Sequence, residues 1–513
     1  MDRTDTQNEA LSYFEGLPSD DPSRPDVVRI DTHANVVFLV GSKAYKIKRA
    51  VQFPFLDYST LALREDACKA EITFNQANAP EIYLRALPVT RQEDGSLALD
   101  GGGTPIEWAV EMNRFDRSNE LDSVAANSVF SYRLSEQLAQ MMVSAHAHAP
   151  LRKGPDFYSE LATYVDQNDA AFHEHPELFA SDEVHHLTRA SRAALASIHD
   201  LILKRGELGL IRRCHGDAHL RNIVLIDGKL VLFDAVEFSD AIATNDILYD
   251  LAFLLMDLWE RGQPKAANRV FNRYLDLSPL TENPEGLAAL PFYLMMRAAI
   301  RSKIAAASAL NQSDPALKAA QQAQAKTYFK YALGFLEPSQ PELLAIGGLS
   351  GTGKTTLAYG LAPEIGRAPG ARVLRTDVKR KKLLGLSETE KAPKSAYTKE
   401  ASDKIYHAVD AEMQAVLAAG HSAIYDAVFA AEAERTAIET VSARVEAGFH
   451  GLWLSADADT LKQRIKARDG DASDATAEIV DQQLTYDLGR MTWPQVDAGA
   501  DADTVLRQAK AAL

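Results

Sequence analysis

Residues Gly348–Thr355 read GLSGTGKT, glycines closed by a lysine and a hydroxyl in the spacing G-x-x-x-x-G-K-[ST]. That pattern suits a polyphosphate. Gly348, Gly351 and Gly353 let the backbone approach closely and aim N–H groups at anionic oxygens. Lys354 reaches the β- and γ-phosphates, and the Thr355 hydroxyl serves Mg²⁺. Ser350, Thr352 and Thr356 complete the run as nucleotide-binding residues. A second set lies upstream. His215–Asn222 reads HGDAHLRN, and Asp234 follows on the apolar run LVLFDAVEF. Asp217, Asn222 and Asp234 offer carboxylate, amide and carboxylate oxygens, donors that match a hard cation such as Mg²⁺.

Around the glycine-rich loop, other residues are spaced for phosphoryl transfer. Asp377, in RVLRTDVKRK, ends a short apolar strand and is placed to orient or deprotonate an acceptor hydroxyl. Asp426, in AIYDAVF, ends another strand, where a carboxylate on the Mg²⁺ side is expected; spacing does not decide which aspartate does which task. Arg464 and Arg468 are four apart on a helix, so they share a face and are candidates to clamp a transferring phosphoryl group.

These residues need particular elements to hold them. From Val36 to Val110 the pattern is mostly β: an apolar run Val36–Val40, a turn at Gly41–Ser42, a return strand Ala44–Lys48, and strands near Ile82–Val89 and Ile106–Asn113 joined by a turn at Gly101–Gly103. A helix over Leu61–Ala77 interrupts them, and a short amphipathic helix over Glu9–Glu15 precedes them. Residues 131–210 and 248–336 show apolar spacings of three and four, hence helices. After EPSQP at Glu337–Pro341 the pattern restarts as strand, loop and helix, with further strands at Arg372–Arg375, Ala423–Tyr425 and Gly451–Leu454. That alternation implies a parallel sheet flanked by helices.

The chain has 513 residues, more than one hydrophobic core sustains. Two cysteines, Cys68 and Cys214, provide no disulfide framework and no Cys-based zinc site, and fit a reducing cytoplasm. The N-terminus lacks a signal-peptide pattern, and no apolar run spans a membrane; ILYDLAFLLMDLW is broken by Asp250 and Asp257. A net charge of −16 argues against nucleic acid or an anionic membrane as partner. His146, His148, His173, His175, His185 and His186 lack metal-binding spacing.

The HGDAHLRN loop resembles that of the aminoglycoside phosphotransferase and choline kinase superfamily, HGD-x-H-x-x-N, over about residues 30–335. The resemblance implies that Asp217 accepts the hydroxyl proton and that Asn222 and Asp234 bind Mg²⁺. It also points to Lys46 as the phosphate-binding lysine, with Lys48 as runner-up on the same strand face, and to Glu71 as the ion-pair partner. The small-lobe loop FLVGSKAYK departs from the family in being short, with one glycine. Glu342–Leu513 resembles the P-loop kinases related to gluconate kinase, adenylylsulfate kinase, the zeta toxins and polynucleotide kinase, on GGLSGTGKTT, RTDVKRK and YDAVF. There Asp377 corresponds to the acceptor-activating carboxylate, Arg380 to an acceptor-side cation, and Arg464 and Arg468 to lid arginines.

The expected architecture is an N-terminal extension (1–30), an α+β protein-kinase-like bilobal domain (31–337) with a β-rich small lobe and a helical large lobe, then an α/β P-loop domain (338–513) with a parallel sheet. The expected activity is ATP- and Mg²⁺-dependent phosphorylation of small-molecule hydroxyls by both domains, in sequence on one substrate. The alternatives are one catalytic domain with a regulatory nucleotide-binding partner, or a zeta toxin- or polynucleotide kinase-like C-terminal activity. Asp246 and Asp250 read as a helix cap and a helix-face charge.

Overall fold

The computed structural model describes residues 3–53, 56–152, 157–280, 284–467 and 472–513. The chain forms two compact units. One comprises 1–129, 144–160 and 206–257, the other 130–143, 161–205 and 258–513.

The first unit is built on a six-stranded antiparallel sheet, in the order Val28–Asp31, Asn35–Val40, Lys43–Lys48, Thr104–Asn113, Tyr83–Arg91, Leu97–Leu99. Along Asn35–Val40 the residues Val36, Phe38 and Val40 alternate inward, as a strand with one covered face requires. Their cover is the N-terminal helix Arg3–Glu15, which is longer than the sequence pattern indicates. It inserts Ala10, Leu11 and Phe14, and Phe14 stacks on Phe38 with ring centroids 5.4 Å apart. Burying one such aromatic side chain contributes roughly 1.5–3 kcal/mol. The extension is therefore an integral part of the small lobe. Leu97–Leu99 is a strand the sequence pattern misses, because three residues are too few to show alternation. The helix Leu61–Asn75 is capped by Thr60, whose hydroxyl accepts the Leu63 N–H at 3.3 Å, and it buries Cys68 and Glu71.

The second unit contains a five-stranded parallel sheet, in the order Arg372–Arg375, Ala423–Asp426, Glu342–Gly348, Gly448–Ser455, Gln495–Asp497. Leu343–Ile346 is buried on both faces, as a central parallel strand demands. Gln495–Asp497 is a further strand missed from the sequence; it is three residues long, two of them polar. The helices Pro264–Leu277, Leu290–Leu310 and Pro315–Phe335 belong to this unit. The expected domain boundary at 337/338 thus lies inside a compact unit. The reason is the helix Pro264–Leu277, whose residues Ala266–Asp276 are all buried. No helix among the described residues is long and apolar enough to cross a membrane.

Candidate active sites

In the first unit, the strand Lys43–Lys48 places Lys46 and Lys48 on one face, and the helix Leu61–Asn75 brings Glu71 to them. Lys46 Nζ lies 2.8 Å from Glu71 Oε1 and 2.7 Å from Asp234 Oδ1. Lys48 Nζ lies 2.5 Å from Glu71 Oε2 and pairs with Glu237, which also accepts the Tyr58 hydroxyl at 2.9 Å. The result is a chain of alternating charge, Asp234–Lys46–Glu71–Lys48–Glu237. Burial alone pushes the Glu71 carboxyl up, but the two ammonium groups outweigh it and hold it down at about 2. Lys46 and Lys48 are displaced upward, their carboxylate partners outweighing burial. Asp234 ends the chain with a side chain 44% exposed, so it is the member open to a ligand. Its backbone sits in the left-handed region (φ +63°), a conformation that costs a non-glycine residue energy and is concentrated at functional sites.

The catalytic-loop candidates converge beside it. Asn222 Nδ2 donates to both the backbone O and Oδ2 of Asp217 at 3.0 Å, leaving its amide oxygen for other use. His219 Nε2 lies 3.3 Å from Asp217 Oδ2. His215 is buried, and burial lowers its pKa. The neutral ring fits its contacts, since Nε2 faces the Phe233 carbonyl at 2.9 Å while Nδ1 accepts the Asp217 N–H at 3.3 Å. Asp246 does cap its helix, accepting the Leu248 N–H at 2.8 Å. Asp250 differs from the sequence reading. It is fully buried rather than a helix-face charge, accepts the Gly216 N–H at 2.8 Å and pairs with His146 at 3.1 Å. Asp257 accepts the Leu220 N–H at 2.8 Å. Both ends of the loop are thus tied to one helix, Ile247–Glu260. His146, Cys214 and Asp250 also place potential ligand atoms within 4.8 Å of one another, a grouping their sequence separation hides. A cavity of about 340 Å³, lined by Val37, Leu39, Ala44, Met112, Phe115 and Phe233 among others, opens onto Lys46, Asn222 and Asp234.

The charge chain carries an acid-sensitivity prediction. Glu71 has a depressed folded pKa, so its contribution is complete above about pH 4.5 and fades as pH falls toward 2. The Glu71→Gln variant is expected to unfold about 3 kcal/mol more easily than wild type at pH 6, by urea titration, and the gap is expected to close below pH 4.5. A gap independent of pH would contradict the assignment.

In the second unit the glycine-rich loop joins the strand Glu342–Gly348 to the helix Lys354–Leu361. Gly351 has φ +88°, and a Cβ there would lie 2.7 Å from the Leu461 carbonyl oxygen, so only glycine fits. Lys354 Nζ donates to the carbonyls of Gly348 (2.8 Å) and Leu349 (3.1 Å). Thr355 Oγ1 donates to Asp426 Oδ2 at 2.5 Å, and Arg375 Nε lies 3.7 Å from the same oxygen. The Thr352 hydroxyl turns away from the cavity to the Leu349 carbonyl at 2.8 Å.

These groups border a cavity of about 480 Å³ whose lining also includes Ser350, Gly353, Thr356, Asp377 and Arg464. Asp377 stands in the first turn of the helix Thr376–Leu383, two residues beyond the strand end, and pairs with Arg380 at 3.1 Å. Arg464 donates to the Ala500 carbonyl at 3.2 Å; Arg468 lies outside the described residues. The lining also includes Tyr397, Asp474 and Gln483, residues no motif pointed to. The Arg380 guanidinium lies 4.5 Å over the Tyr397 ring, and Tyr397 donates to Asp474 at 2.6 Å. Asp474 also meets Lys381 at 3.2 Å. Gln483 accepts the Ser350 N–H at 2.8 Å. Asp474 and Gln483 come from a polar stretch whose composition signals only a loop and a short helix.

Residues 33–290, half of the chain, match the family model described as "Phosphotransferase enzyme family". The chain belongs to that family. Residues 343–486 match a model described as "AAA domain". This phosphotransferase is 29% identical over 476 residues to the uncharacterized protein Rv2004c of Mycobacterium tuberculosis, with 90% of each chain covered. Among solved structures, a gluconokinase from Sinorhizobium meliloti is 18% identical, covering 34% of this chain and 91% of its own, with a TM-score of 0.25. A choline/ethanolamine kinase family protein from Mesorhizobium loti is 14% identical, covering 64% of this chain and 99% of its own, with a TM-score of 0.34. The phosphotransferase carries a kinase-like fold followed by a P-loop parallel-sheet fold. It is an ATP-dependent enzyme that transfers a phosphoryl group to a hydroxyl acceptor.

Proposed function

We propose that this phosphotransferase is a bifunctional small-molecule kinase, with one active site in residues 31–337, preceded by the extension 1–30, and a second in residues 338–513. The two sites act in sequence on one small molecule, the product of one being the acceptor of the other. The observation that carries this reading is that one chain holds two separate sets of phosphate- and cation-suited groups, each drawn together from distant positions: Lys46 with Glu71 and Asp234, and Thr355 with Asp426.

At the first site the apolar cavity takes the adenine and Lys46 takes the phosphates. Asp217 receives the proton of the attacking hydroxyl as its oxygen bonds to the γ-phosphorus and the bridging P–O bond to ADP breaks. At the second site the loop N–H groups and Lys354 hold the polyphosphate, Asp377 activates the acceptor, and Arg464 with Arg468 neutralises the transferring group. The donor oxygens fit Mg²⁺ at both sites: Asn222 and Asp234 in one, Thr355 and Asp426 in the other. When bound, the cation neutralises charge between the β- and γ-phosphates.

The test uses Asp217→Ala and Lys354→Ala separately in the full chain, incubated with MgATP and a panel of small alcohols, with products read by mass spectrometry. One variant is expected to make no phosphorylated product and the other to accumulate a singly phosphorylated one. If either variant leaves every product unchanged, the sequential scheme fails.

A further inference from the structure

Among the described residues the outermost strand of the parallel sheet, Arg372–Arg375, has no neighbouring strand on its free side, yet its edge is not bare. The side-chain amide of Asn272, on the helix Pro264–Leu277, pairs with it as a peptide group of another strand would. Asn272 Oδ1 accepts the Val373 N–H at 2.7 Å, and Nδ2 donates to the Ala371 carbonyl at 3.1 Å. Asn268, one turn earlier, donates to the carbonyls of Pro369 and Ala371, both at 3.1 Å. Gly370 makes the approach feasible, since a Cβ there would lie 2.8 Å from Asn268 Nδ2. Asn268 and Asn272 are at most 1% exposed. The same helix reaches the next element too, since Lys382, on the helix that carries Asp377 and Arg380, donates to the carbonyls of Leu275 (3.1 Å) and Ser278 (3.3 Å).

Sequence assigns the two partners differently. The helix Pro264–Leu277 falls within the phosphotransferase match, 33–290, whereas the strand and Asp377 fall within the later match, 343–486. Asp377 lies four positions after Val373, and Arg375, Thr376 and Asp377 all line the 480 Å³ cavity. An unpaired edge strand four residues long frays readily; tying its N–H and C=O groups fixes the direction in which its end projects.

We propose that Asn272 and Lys382 are positioning residues for the P-loop site, so that its acceptor side is completed by a helix of the kinase-like segment. This rests on the reading of Asp377 as the group that activates the acceptor. It gives the fusion a physical role: the second kinase site borrows part of its framework from the first kinase's sequence.

The test uses the full chain with Asp217→Ala throughout, so that the first site is silent, and follows MgATP hydrolysis with water as the acceptor, alongside MgADP affinity by calorimetry. Adding Asn272→Leu is expected to lower kcat at least ten-fold with the MgADP Kd within two-fold. Lys382→Met, at a half-buried position that does not touch the cavity, is expected to lower kcat at least three-fold with the same constancy of Kd, and it decides the matter if Asn272→Leu does not fold. Unchanged kcat, or kcat and MgADP affinity falling together, overturns the inference. Lys354→Ala in the same background separates the two levels. Hydrolysis that survives it, or a parent with no Lys354-dependent hydrolysis, overturns the P-loop assignment itself. Hydrolysis that is abolished by Lys354→Ala but indifferent to Asn272→Leu and Lys382→Met overturns the positioning role alone.

Discussion

Asp217→Asn is expected to lower turnover at the first site by roughly 10²–10⁴-fold, the usual contribution of a positioned general base, while MgADP affinity stays within two-fold. The substitution is nearly isosteric, and an amide oxygen can still accept from Asn222 Nδ2, which donates to this side chain at 3.0 Å. The loop would keep its shape, because its anchors lie elsewhere: Asp250 on the Gly216 N–H and Asp257 on the Leu220 N–H, both at 2.8 Å. What is lost is the carboxylate proposed to receive the proton. Nucleotide affinity is expected to be spared because Lys46 and Asp234 line the cavity proposed to take the nucleotide, and Asp217 does not. The measurement is steady-state ADP release in a Lys354→Ala background, which removes the second site's signal. A kcat within three-fold of the parent would eliminate Asp217 as the base.

Arg372→Met is expected to destabilise the second unit by about 3–5 kcal/mol, the range for removing one partner of a buried ion pair. Arg372 is 4% exposed and its guanidinium meets Asp276 Oδ1 at 2.7 Å and Glu412 Oε1 at 2.9 Å. Its Nη1 also donates to the backbone carbonyl of Asn272 at 3.2 Å. Burial would raise the Glu412 carboxyl, but Arg372 and then Lys379 hold it down at about 2, so losing Arg372 removes the larger of its two cationic partners. Methionine fills the volume and leaves the buried Asp276 and the partly buried Glu412 short of a cation. Urea unfolding followed at pH 7 reads the effect, and replacing Asp276 and Glu412 by Asn and Gln in the same chain should return part of it. A loss under 1 kcal/mol would mean that water reaches the cluster.

Much of the candidate chemistry was readable from short motifs. The loop at Gly348–Thr355 and the set Asp217, Asn222 and Asp234 announce themselves because phosphate and Mg²⁺ need particular groups at fixed local spacing. Lys46 and Glu71 were readable as a strand lysine and a helix glutamate, and they meet at 2.8 Å. Lys48 was readable as the runner-up lysine on the same strand face; nothing local shows that it and Glu237 close a five-member chain of charges. The reading of Asp250 as a surface charge failed for a plain reason. An aspartate on an amphipathic helix looks alike whether it meets water or a buried N–H. Tyr397, Asp474 and Gln483 belong to no fixed-spacing pattern and enter the cavity only through the path of the chain.

The sequence by itself determined the reaction class and the two fold types and marked the candidate phosphate-handling residues, because these depend on local spacing and on the period of apolar residues. Only the tertiary structure decided where the compact units divide and what completes the P-loop sheet. Those depend on long-range satisfaction of buried polar groups. The strand Arg372–Arg375 has an edge to cover and a buried arginine to neutralise, and Asn272 and Asp276, about a hundred residues earlier, supply both. No local pattern encodes such a pairing, since an asparagine that will complete a sheet edge has the same sequence surroundings as one that faces solvent.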